Sequence, residues 1–171
     1  MDTRRMVLLS LFVAMAAVLH VVETWIPLPL PVPGAKLGLA NIIAVLTIAL
    51  YGWRAALSVA VLRVLLGSLL GGTLLGPAFA MSLCGALLST GIMAYGYKYW
   101  QPLFSVVGIS VIGAATHNLA QIVVAALLVV SPDLLWYLPY LLLFAIPTGL
   151  GTGFIAWYLL KKTPQWLKAG I

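Results

Sequence analysis

The chain has 171 residues, 64% of them apolar and 7% charged, with nine Lys and Arg against three Asp and Glu. So much apolar surface exceeds what a soluble core can bury, so most of it must face lipid or other buried helices. The charge of +6 is dispersed at the ends of apolar runs, which argues against nucleic-acid binding and for membrane topology. The single cysteine, Cys84, excludes an internal disulfide and a cysteine-only metal site.

A spanning helix needs roughly 20 mostly apolar residues. Six such segments are predicted, at 6–22, 37–51, 54–70, 77–95, 102–130 and 134–160. The fold class is therefore all-α: a polytopic, six-helix membrane bundle forming one domain over 1–171. The first segment follows Arg4 and Arg5 and passes possible cleavage sites at AMA and MAA. Because the apolar run continues beyond them, it reads as an uncleaved helix. The fifth segment is long enough to tilt or break near Gly108, and Pro139 and Pro147 interrupt the sixth. With the N-terminus in the cytoplasm, Arg4, Arg5, Arg54, Lys98, Lys161, Lys162 and Lys168 all fall on the inner side, leaving Lys36 outside. That is the positive-inside pattern, and an even helix count puts both termini in the cytoplasm. Trp25, Trp53, Trp100, Trp136 and Trp166 fall near the interfaces, as belt residues do.

The outward loop 23–36 carries IPLPLPVPGAK. Proline at Pro27, Pro29, Pro31 and Pro33 fixes φ and removes donors, which predicts a stiff, extended strap. Gly34 permits a reversal before Lys36 and Asn41. Such a strap suits a gate, since little entropy is lost when it closes. Lys36 opposes the macrodipole of the helix it precedes. It either meets an anion there or snorkels to the outer headgroups.

Arg63 falls near the middle of the third segment, where a charge is expensive. It either meets a ligand or ties helices together, and its own layer offers no evident carboxylate, since Glu23 and Asp133 both read as near the outer surface. In GAATHNLAQ, Gly113, His117 and Gln121 recur every fourth residue and share a face, with Asn118 one step around and Ala114 beneath it. These side chains suit a polar ligand or a helix–helix contact. His20 and Glu23, ending the first helix, are candidates to rim the same cavity. Two histidines without a set of acidic partners give little basis for a metal site, and no catalytic triad can be assembled. The pairs Gly67/Gly71, Ser68/Gly72 and Gly149/Gly153 favour close helix packing.

Three blocks, PGAKLGLANI (33–42), LRVLLGSLLGG (62–72) and IGAATHNLAQ (112–121), together resemble the small bacterial membrane family labelled Gx transporter, also called heptaprenyl diphosphate synthase component I. That family is thought to be related to the substrate-binding S components of energy-coupling factor transporters. The resemblance implies a six-helix bundle in the bacterial cell membrane, an outward-facing site and a membrane coupling protein with ATPases as partner. Carried onto this chain, it marks Lys36, Asn41, Arg63, His117, Asn118 and Gln121 as ligand-binding. Partner contact in S components uses small residues four apart on the first helix, kept here as Ser10 and Ala14 and lost at Val18. The function expected is a solute-binding component for uptake of a small anionic or polar molecule, without an ATPase of its own and without a cofactor. The alternative is a membrane subunit associated with heptaprenyl diphosphate or other isoprenoid synthesis. Only two aspartates, Asp2 and Asp133, are present, too few for the Asp-rich Mg²⁺ centre of a prenyl synthase.

Overall fold

The computed structural model describes residues 3–26, 38–100 and 103–164. The proposed gate residues Pro27, Pro29, Pro31, Pro33 and Gly34, and Lys36 with them, lie outside the described residues. Helices α1 (Thr3–Trp25), α2 (Asn41–Leu70), α3 (Pro77–Tyr99), α4 (Val106–Val129) and α5 (Leu138–Lys162) follow in order, with a 3₁₀ turn, Pro132–Tyr137, before the last. Among the described residues these five helices are long and apolar enough to cross a membrane, that turn counted with α5, and there is no strand. The chain is a multi-pass, all-α membrane protein.

Where six helices were expected, five are found among the described residues, because no loop divides the second and third segments. Both belong to α2, interrupted only at Gly52, which has φ 80 and ψ 176. An L-residue rarely adopts that conformation, and glycine adopts it freely. The contacts on either side show what the interruption does. Arg5 near the start of α1 donates from Nη2 to the Tyr51 carbonyl at 3.3 Å. Near the end of α1, Glu23 accepts the Leu39 backbone N–H. A Cβ on Gly67 would lie 2.6 Å from Cδ2 of His20, also near the end of α1. In a straight helix, residues 41 and 67 would be about 39 Å apart, so both cannot lie beside the end of α1 unless the chain folds back. The limb 41–51 therefore runs antiparallel to α1, and the limb 53–70 returns parallel to it.

The first limb is the centre of the molecule. Ile42, Ile43, Ala44, Val45, Leu46 and Ile48 are all buried, in one cluster with Val13 and Ala16 of α1, Val59 of the return limb, Met93, Ile109 and Ala156. A helix that is apolar around its whole circumference is one enclosed by others. Its Thr47 hydroxyl donates to the Ile43 carbonyl at 2.6 Å, which pairs that polar group within the core.

Helices α4 and α5 pack almost backbone to backbone. A Cβ on Gly149 would be 2.5 Å from the Val111 Cα, and one on Gly153 would be 2.8 Å from the Val107 Cα. The Ser110 and Thr152 hydroxyls meet between them at 2.9 Å. Small residues and interhelical hydroxyl bonds are what hold helices together where lipid removes the hydrophobic drive. Helix α4 begins at Val106 rather than 102, with Ser105 accepting from the Gly108 N–H at 3.3 Å. It is continuous through Gly108, so of the tilt or break expected there the break does not occur. Pro139 sits in the first turn of α5, where its missing donor is harmless, and Pro147 lies within the helix.

Candidate functional site: a buried polar cluster

The end of α1 carries His20 and Glu23, both buried, Glu23 being 4% exposed. The helix extends to Trp25, three residues beyond the expected end, and this brings Glu23 into the bundle. Glu23 acts electrostatically on Arg63, which is 2% exposed on the return limb of α2. The reading of Glu23 as a surface residue, and of Arg63 as lacking a carboxylate in its layer, is thereby corrected. The pair does not exhaust the guanidinium. Its Nε and Nη2 are buried with no hydrogen-bond partner among the described residues. One turn along, Gly67 has no side chain because His20 occupies that space.

The segment that Glu23 anchors through Leu39 leads to the second half of the cluster. Gly38 has φ 81, and a Cβ there would lie 3.0 Å from Nδ2 of Asn41 and 3.7 Å from Cδ2 of His117. On the opposite side of His117, a Cβ on Gly85 of α3 would lie 2.9 Å from its Nδ1 and 3.3 Å from Cγ of Gln121. Two glycines thus bracket the imidazole, one from the start of α2 and one from α3. Asn41, His117 and Gln121 are all buried, and neither Oδ1 nor Nδ2 of Asn41 has a partner among the described residues. An unmade hydrogen bond costs about 1–3 kcal/mol per buried group. Among the described residues, Arg63 and Asn41 together carry four such groups: Nε and Nη2 of Arg63, and Oδ1 and Nδ2 of Asn41.

The expected site residues divide accordingly. Asn41, His117 and Gln121 share one locus, and Arg63 joins it by way of Glu23 and Leu39. Asn118 turns toward α5 and donates from Nδ2 to the Leu141 carbonyl at 2.8 Å, a helix–helix tie. Its Oδ1 is buried with no partner among the described residues. Sequence reasoning missed Gly38 and Gly85 as walls of the histidine. Gly38 lay inside one of the quoted blocks, whereas Gly85 stood in a bland apolar run. Ser10 and Ala14 lie elsewhere, in a groove of about 780 Å³ between α1 and the return limb.

The architecture defines a multi-pass helical membrane protein, with a cluster of buried polar side chains in its interior. The chain matches the heptaprenyl diphosphate synthase component I family over residues 12–159 and belongs to that family. No curated protein and no solved structure matches it.

Proposed function

We propose that this chain is a membrane-embedded, non-catalytic component associated with heptaprenyl diphosphate synthesis. The observation that carries this reading is the family match, which takes in most of the chain. The chemistry is consistent with it. A long prenyl diphosphate is an amphiphile that leaves a soluble synthase for the bilayer, and a helical bundle can receive it or hold the synthase at the surface. Two aspartates in the whole sequence give no Asp-rich Mg²⁺ centre, so bond formation belongs to a partner subunit. By the positive-inside rule, the end bearing Arg5 and Arg54 faces the cytoplasm, where a soluble synthase would dock. Affinity purification of the tagged chain from its native membrane tests this. A prenyl synthase should co-purify, and heptaprenyl product should rise when the chain is present. Purification without any synthase, and unchanged product, would sink the reading.

A second reading is favoured by the buried donors of Arg63 and Asn41, which have no partner among the described residues. On this reading the chain is a solute-binding uptake component like the S components, the folded-back α2 supplying two of six apolar segments. Because Glu23 already offsets the charge of Arg63, the solute would be polar and rich in acceptors rather than simply anionic. A coupling protein with ATPases would supply the energy. Mass spectrometry of small molecules retained through gentle purification tests it. A polar molecule should be retained by the native chain and lost from Arg63→Gln, and an empty native protein would refute it.

A further inference from the structure

We propose that the groove between α1 and the return limb of α2 is a binding site for one polyprenyl diphosphate, with the diphosphate at Arg5 and Arg54 and the hydrocarbon running toward Leu66. This deepens the first reading above and rests on it. It concerns a site separate from the buried polar cluster.

The groove, about 780 Å³, lies between the two helices and is lined from both. Its lining is polar at one end and apolar along its length. Arg5 and Arg54 mark the polar end, and Leu62 and Leu66 mark the apolar end. From Arg54 to Leu66 the limb rises about 18 Å, a reach suited to an extended chain. The groove is open because Ala14 on one helix and Ser58 on the other are small and both exposed, so neither fills the space between. The volume lies within the range of about 300–1,000 Å³ typical of small-molecule sites.

The head end carries the argument for a diphosphate. Arg54 is exposed, with its guanidinium 5.3 Å from the Trp53 ring centroid. Arg5 reaches the Tyr51 carbonyl through Nη2, while its Nε is buried with no partner among the described residues. Beside it, the Tyr51 hydroxyl is likewise buried and unpartnered among them. Two guanidinium groups at the mouth of an apolar channel match a head with several charges and acceptor oxygens. Guanidinium binds phosphate oxygens in pairs, and two guanidiniums exceed the single charge of a phosphodiester headgroup.

The test uses the full chain in nanodiscs of phosphatidylcholine, with farnesyl diphosphate as probe and native mass spectrometry as readout. Saturable binding of one molecule is expected. Arg54→Gln should weaken it about tenfold or more, and farnesol, which lacks the diphosphate, should bind at least tenfold more weakly. Ala14→Phe and Leu62→Trp, each of which obstructs the groove and leaves both arginines in place, should abolish binding in protein that elutes as a single species. Lys98→Gln, a cation outside the groove, should retain it. No saturable binding, equal displacement by phosphatidylglycerol, or undiminished binding in both obstructed variants would overturn the proposal. Synthase co-purification, scored in the same preparations, separates the two levels. Co-purification without groove-dependent binding sinks the site alone, and groove-dependent binding without co-purification sinks the association alone.

Discussion

Arg63 and Glu23 place two formal charges inside an apolar bundle, and each makes the other tolerable. Removing one partner of a buried pair leaves the other uncompensated, at about 3–5 kcal/mol. Arg63→Met should therefore lower the thermal midpoint in detergent sharply. Adding Glu23→Gln should recover part of the loss, since glutamine still offers an oxygen to the Leu39 N–H that Glu23 holds. Absence of recovery in that double-mutant cycle would show that the two side chains are not coupled. Glycines make a second residue-level contrast. Gly149→Ala drives a methyl into the Val111 backbone, 2.5 Å away, and should destabilise by about 1–3 kcal/mol. Gly91→Ala in α3 meets nothing within 4 Å and should instead stabilise by about 0.5–1 kcal/mol. Thermal unfolding of both variants checks the opposite signs. The sequence displayed Arg63 as an anomaly but hid its partner. Glu23 is 40 positions away and seemed to lie past the end of a helix, and only the extra turn of α1 carries it inward.

At the scale of elements, α2 holds the main consequence. Gly52→Ala forces a methyl-bearing residue into φ 80 and ψ 176, a strain of about 1–3 kcal/mol at the residue that makes the reversal. The fold-back can be tested directly in a Cys84→Ala background. His20→Cys with Gly67→Cys should form a disulfide on mild oxidation, because a Cβ at Gly67 would lie 3.0 Å from the His20 Cβ, and moving the two apart by about 0.5–1 Å brings the pair into disulfide range. A straight helix could not form that bond. The limits of the two limbs were readable from composition, since Gly52, Trp53 and Arg54 interrupt the apolar run as an interface does. The absence of a loop was not readable, because one glycine suffices where two or three polar residues are usual. The start of α4 and the 3₁₀ turn before α5 were misjudged for a related reason. Apolarity continues through both boundaries, and only the Ser105 cap and the Pro132 start set them.

For the whole molecule, alternation of the helices gathers Arg4, Arg5, Arg54, Lys98, Lys161 and Lys162 at one end and leaves Asp133 at the other. Aromatic rings join the cationic end: Tyr95 and Trp100 meet edge to face at 5.5 Å, and Lys98 lies 5.0 Å from the Tyr99 ring centroid. Such rings and bases settle at the headgroup level. In sealed vesicles, a membrane-impermeant maleimide should reach Lys98→Cys and Asp133→Cys from opposite sides. Labelling of both from one side would refute the arrangement. This polarity was the most legible feature of the chain, because charge position survives errors of a few residues in helix boundaries.

The brevity of the central limb has a consequence for how the protein is made. Residues 41–51, about 16 Å of helix, fall well short of the roughly 30 Å hydrocarbon layer. An insertion machine scanning the nascent polypeptide would not retain that stretch by itself. It would have to hold 41–51 until 53–70 has emerged and release both into lipid together, so the innermost part of the finished bundle depends on a segment translated after it.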